Sequence, residues 1–276
     1  MPVKRKTILP GFGLTTGFAL TYLSLFVLIP LSAVFLEAAT QSWQSLWATI
    51  SSPRLIASYK LTLGAAFISA LFNAFLGLLV AWVLARYDFP GKRIADAVVD
   101  LPFALPTAVA GLSLTALYSP NGWFGHYLGM LGIQVAYTRL GVLIALIFVG
   151  LPFVVRNVQP VLEDFDLQVE EAARSLGATR WQTFARVIAP ALLPSLLTGL
   201  SLAFARALGE YGSVVFISGN RVFETEITSF MIMNKLDQHD VPGATAIATL
   251  MLVASFVLLL AINLLQARSR RYMETS

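Results

Sequence analysis

Arg206 and Glu210 stand four residues apart in a stretch, Ala191 to Ile217, that holds no other charge. In hydrocarbon an unpaired charge costs roughly 2.5–3.5 kcal/mol on insertion scales. The two groups must therefore find each other, other protein groups or water. Their spacing lets them meet on a helix, although in the less favoured order. Two roles fit: a structural ion pair at a protein interface, or a cation beside an anion's path. Gly199, Ala203, Arg206 and Glu210 project within a narrow arc of an ideal helix. Small residues mark close helix packing, so this face belongs against protein or a water-filled path.

Other chemistries are excluded by what the chain lacks. It has no cysteine, so disulfides, thiol catalysis and Cys-based metal sites are ruled out. His126 and His239 are too few and too far apart for a zinc motif, and no metal site is expected. Gly91-Lys92 lacks both the upstream glycine and the following hydroxyl of a phosphate-binding loop. No Ser–His or Asp–Asp pair falls within an apolar run. The chain therefore reads as a non-catalytic component without a cofactor of its own.

The elements around these residues are membrane helices. The 276 residues are 57% hydrophobic and 12% charged, against roughly 25% charge in soluble domains. A span needs about 20 apolar residues, and six windows qualify: Leu14–Leu36, Leu61–Ala85, Val98–Leu117, Leu140–Val155, Ala191–Ile217 and Ala244–Gln266. The fourth is short and is expected to extend past Arg156. The first follows Lys4-Arg5-Lys6 but is longer than the apolar core of a signal peptide, so it reads as a retained helix. No soluble domain, fixed-period repeat or low-complexity tract interrupts them, and 1–276 reads as one all-α transmembrane domain.

Charge sets the expected orientation. Lys4, Arg5, Lys6, Arg86, Lys92, Arg93, Arg156, Arg174, Arg180, Arg186, Arg268, Arg270 and Arg271 fall on one side; Arg54, Lys60, Arg139, Arg221 and Lys235 fall on the other. The positive-inside rule places both termini in the cytoplasm. The basic residues are split among short segments, so no nucleic-acid surface is expected. Trp43, Trp47, Trp123 and Tyr127 are placed to anchor the opposite interface in lipid.

Two segments break the apolar pattern. Pro102 and Pro106 each remove a backbone donor in the third window, so a bend or break is expected there. It either borders a translocation path or is a packing kink. Asp100 marks the start of that window, and Asn73 is a lone amide in the second. The other segment is the polar cytoplasmic stretch of about 160–190. Its sequence predicts a helix within Gln159–Leu176, with Asp164 or Asp166 as cap, then a left-handed turn at Gly177. A second short helix over Ala178–Ile188 would show Trp181, Phe184 and Val187 on one side, with Pro190 and Pro194 behind it. Such a loop is either a solvated connector on headgroups or a docking element. On the outer side, Thr225–Asp240 is able to form a short surface helix.

Within that loop, Glu171-Ala172-Ala173, three residues, Gly177, nine residues and Val187-Ile188-Ala189-Pro190 resemble the EAA loop of ABC importer permeases. Val187 and Ala189 replace the usual Ile and Leu. Glu37-Ala38-Ala39 repeats the letters, but Trp43 stands where the glycine belongs. The segments Asp100–Gly111, Ala207–Asn220 and Arg86–Gly91 look like those of sulfate/thiosulfate permeases, and Pro152–Arg156 with Val158–Glu163 resemble their T-type subunit. The resemblance implies the type I importer fold in a bacterial inner membrane and alternating access. It implies that Glu171, Ala172, Ala173, Gly177 and Pro190 couple the chain to an ATPase. It also implies a W-type permease partner, two ABC ATPase subunits that bind ATP and Mg, and a periplasmic sulfate- or thiosulfate-binding protein. A molybdate or tungstate permease is the neighbouring alternative. A membrane enzyme or a stand-alone channel fits less well, because catalytic pairs are missing and the loop would be unexplained.

Overall fold

The computed structural model describes residues 12–274, and side chains over 13–264. The basic residues at positions 4–6, 268, 270 and 271 lie outside the described side chains. Among the described residues the fold is helical. In chain order α1 is Gly13–Ala39, α2 is Trp43–Ile50, α3 is Pro53–Arg86, and α4 is Lys92–Val99. Then follow α5 Leu101–Ala104, α6 Thr107–Tyr118, α7 Trp123–Met130, α8 Arg139–Glu163 and α9 Leu167–Ser175. The chain closes with α10 Arg180–Leu208, α11 Gly212–Ile217, α12 Thr228–Asp237 and α13 Val241–Glu274.

Five of these helices, α1, α3, α8, α10 and α13, are long and apolar enough to cross a membrane. The third expected window differs. It is divided among α4, α5 and α6, and its longest apolar piece is Thr107–Tyr118. Proline accounts for the division. Pro102 sits in the first turn of α5, where its missing N–H costs nothing. Pro106 removes the donor that would carry α5 onward and forces Leu105 into extended backbone (φ −84°, ψ 135°).

The fifth window is also shifted. Its helix begins at Arg180 and ends at Leu208, so the predicted separate helix over Ala178–Ile188 is instead the first turns of a span. A π-helical turn at Phe184–Ile188 joins the two parts, and Pro190 falls in the first turn of the regular segment beyond it. This absorbs the missing proline donor without a break, because wide turns already loosen the ladder there.

Helices α3, α8 and α10 form the centre. Ala66, Ala70, Val142, Ala145, Leu146, Phe204 and Ala207 fill one half of their shared core, and Ala81, Leu84, Val154, Val155, Val158 and Leu192 the other. Small residues set the spacing. A Cβ on Gly77 would lie 2.8 Å from Val154, and one on Gly199 would lie 2.8 Å from the Val154 Cα. Helix α1 contributes little to this centre; its apolar residues, such as Leu14, Phe18 and Phe26, are exposed.

Candidate functional site

Both broken spans break at the same place in space. Between α10 and α11 the chain leaves helical geometry at Gly209–Tyr211, Tyr211 having φ −128° and ψ −55°. Helix α11 then packs against α6, whose start is fixed by Pro106. A Cβ on Gly111 would lie 2.5 Å from the Ser213 carbonyl oxygen, and one on Gly212 would lie 2.1 Å from Thr107 Oγ1. Only glycine permits this approach. The unwound segments 105–106 and 209–211 are thereby brought together. Irregular backbone at membrane depth is tolerated where it lines a cavity or is covered by protein.

Arg206 and Glu210 lie at this junction. Arg206 Nη1 stands 2.5 Å from Glu210 Oε2. Glu210 lies beyond the end of α10, so the helical arc expected for it gives way to a turned backbone. Its side chain is 1% exposed, against 32% for Arg206. Its other oxygen, Oε1, accepts from Ser213 N at 2.9 Å and Ser213 Oγ at 2.8 Å. Its backbone carbonyl accepts from Ser229 Oγ at 2.7 Å. The carboxylate therefore ties α10 to the first turn of α11 and is fully engaged. Arg206 retains further N–H groups on a partly exposed side chain. Glu210 faces protein, as do the small residues before it: Ala203 is buried and Gly199 meets α8.

The polar loop lies at the other end of the α8–α10 pair. Asp166 caps α9 by accepting from Gln168 N at 2.9 Å. Gly177 takes φ +84° with nothing within 4 Å of an added Cβ, so conformation alone demands glycine there. Thr179 and Gln182 exchange hydrogen bonds in a capping box that starts α10. Glu171 and Ala172 are exposed and Ala173 is half-buried. Leu176 is 90% exposed and Trp181 73%. Phe184 turns inward instead, stacking on Trp181 at 5.7 Å and meeting Trp82 edge-on at 5.7 Å. The triplet at Glu37 ends α1 in continuous helix and has no such turn.

Three ionic links were not legible as pairs in the sequence. Arg156 on α8 donates to Asp100 Oδ1 at 2.8 Å and Oδ2 at 2.7 Å, and to Asp96 Oδ1 at 2.7 Å. Arg86 Nη2 donates to Glu170 Oε1 at 2.5 Å. Arg54 pairs with Glu226. Each joins elements separated by more than fifty residues, so spacing carried no signal. The one available hint was a charge at the edge of an apolar run. Asn73 is fully buried, and neither amide atom has a hydrogen-bond partner among the described residues.

Broken helices meeting inside a polytopic bundle, with an exposed helix–turn element at one end, are the build of a membrane transport component. The chain belongs to the family of binding-protein-dependent transport system inner membrane components, whose pattern matches residues 73–272. It is 50% identical over 269 residues to the sulfate transport system permease protein CysT of Escherichia coli (strain K12), covering 98% of this chain and 97% of that one. The corresponding protein of Synechocystis sp. is 49% identical, with 91% and 88% covered. Among solved structures, a bacterial ABC transporter involved in import of the acidic polysaccharide alginate superposes with a TM-score of 0.77 at 20% identity, covering 94% and 96%. The MetNI methionine ABC transporter gives 0.60 at 18% identity, covering 83% and 99%. These two share the fold.

Proposed function

We propose that the chain is the T-type permease subunit of an ATP-driven importer that moves sulfate or thiosulfate across the bacterial inner membrane. The observation that carries this is half identity along nearly the whole chain to sulfate permeases. No shorter motif would distinguish sulfate from molybdate or tungstate. In this reading both termini and α9 are cytoplasmic, and the exposed surface of Glu171, Ala172, Leu176 and Trp181 seats on an ATPase subunit. Gly177 sets the angle between α9 and α10. Pro190 is carried within α10 by the loosened turn at Phe184–Ile188.

A W-type permease completes the path, two ATPase subunits carry ATP and Mg, and a periplasmic binding protein delivers the anion. ATP closure draws the α9 loops together and opens the spans outward; hydrolysis returns them. The junction of 105–106 with 209–211 borders the path. Arg206 offers a partly exposed guanidinium to a passing dianion while Glu210, fully bonded, holds the break in shape. A passing contact of this kind suits transport, since a tight site would retain the ion.

The test is reconstitution of the full complex in vesicles. ATP hydrolysis should rise with the binding protein loaded with sulfate or thiosulfate, and labelled sulfate should accumulate. Stimulation by molybdate or tungstate alone would reassign the substrate. Uptake by this chain without ATPase would refute the coupled mechanism.

A further inference from the structure

Helix α9 is anchored in an unusual way. Its single buried residue is an acid, Glu170. A short helix normally holds its place through an apolar face, but Leu167 and Val169 are exposed. Glu170 instead reaches Arg86, the last residue of α3, with 2.5 Å between Oε1 and Nη2. Both side chains are shielded, at 15% exposure for Arg86 and 11% for Glu170. The guanidinium lies over two rings, 5.4 Å from the Trp82 centroid and 5.8 Å from that of Phe165. Trp82 in turn meets Phe184 at the start of α10. Arg174 stands farther off, 3.8 Å from the other Glu170 oxygen.

We propose that the Glu170–Arg86 pair is the strut that passes movement of α9 into the membrane core, with Glu170 and Arg86 as positioning residues for coupling. The proposal rests on α9 docking to an ATPase, and it assigns a different task to each of two adjacent acids. Glu171 faces outward toward the partner; Glu170 faces inward and holds α3. A shielded ion pair is poor at adding stability compared with apolar residues of like volume. It is directional, however, and a guanidinium held on two ring faces resists displacement. Helix α3 belongs to the central three-helix core, so a pull on Glu170 acts on that core directly. The exposed Asp88–Lys92 pair nearby lacks this shielding and has no such role.

The test uses the complete transporter in vesicles, with sulfate moved per ATP hydrolysed as the readout. The double variant Arg86→Met with Glu170→Leu replaces the pair by apolar side chains that keep the site filled. ATPase docking and basal hydrolysis should survive, while sulfate moved per ATP falls by at least about fivefold, the lower edge of usual coupling strengths. The chain has no cysteine, so Arg86→Cys with Glu170→Cys can be bridged by a short thiol-specific crosslinker. Bridging should restore the ratio that the unbridged pair has lost. An unchanged ratio in the apolar variant would overturn the strut. So would loss of ATPase docking in that variant, which would make the pair a support for loop shape only. Failure of the wild-type chain to retain an ATPase would instead refute the docking reading itself.

Discussion

Replacing Arg206 by alanine isolates the ionic junction at the break in the fifth span. Glu210 would then keep Ser213 N and Ser213 Oγ on Oε1, but Oε2 would lose its ionic partner, 2.5 Å away. Removing one member of a buried pair costs roughly 3–5 kcal/mol, because a charge is left unpaired. A third of the Arg206 side chain is exposed, so water offsets part of this and the low end, about 3 kcal/mol, applies. A loss of that size lowers a melting temperature by about 5 °C in a chain of this length. Adding Glu210→Gln to Arg206→Ala removes the stranded charge and keeps an acceptor for Ser213. About 2 kcal/mol should return, since the remaining loss is that of a neutral hydrogen bond and some packing. Thermal unfolding of the purified permease in detergent measures both. An Arg206→Ala protein that melts with the wild type, or a double variant that melts below the single, would refute the pairing.

Four other outcomes follow from the geometry. Gly111→Ala should cost at least about 1–3 kcal/mol, because its Cβ meets the Ser213 backbone, which cannot step aside as a side chain would; a melt unchanged from wild type would show that α6 and α11 separate freely. Gly177→Val meets no neighbour but is forced to φ +84°, so stability should fall by about 1–2 kcal/mol and substrate-stimulated ATP hydrolysis in the complex should be lost. Asn73→Ala should cost less than the roughly 2–5 kcal/mol of a buried Leu→Ala change, because the amide it removes is buried without a partner among the described residues; a larger loss would reveal a partner for it. Lys235, followed by the Gly243 N–H, holds the Asp240 carboxyl below its ordinary range. A depressed carboxyl contributes stability above its unfolded value, about 3.9, and loses it as pH falls through the folded value. The melting difference between wild type and Asp240→Asn should therefore be constant near neutrality and vanish in acid.

The sequence made the spans legible because apolar length is a local property. It also marked Pro106 and Gly177, and offered Asp166 beside Asp164 as the cap, since each acts on its own neighbours: a missing donor, a positive φ, a cap. It misjudged the start of α10. Pro190 and Pro194 read as a boundary, but a π-helical turn at Phe184–Ile188 carries the helix through them, and nothing local announces such a turn. Glu210 was projected as helical because the apolar run continues to Ile217. Gly209 and the tertiary bonds of Glu210 to Ser213 and Ser229 end the helix earlier. The partners of Arg86, Arg156 and Arg54 depend on which elements become neighbours, so charge alone did not identify them.

The same contacts limit where this chain is able to move. In the α3–α8–α10 core, Gly77 and Gly199 both close on Val154, and Gly150 closes on the Asn73 amide. Helices in such contact cannot slide past one another without collision, because packed cores resist deformation. The α6–α11 pair is locked in the same way by Gly111 and Gly212. The two packings are also joined to each other. Leu114, Val214 and Ile217 share one core with Ala66, Val142 and Phe204, and a Cβ on Gly141 would lie 3.1 Å from Ile217. Movement of α6 and α11 must therefore carry α8 with it or open that core. Glu210 is bonded to Arg206 before the break and to Ser213 after it, so any change of angle between α10 and α11 must carry or strain its carboxylate. A buried charge at this position thus sets the angle at which α10 gives way to α11.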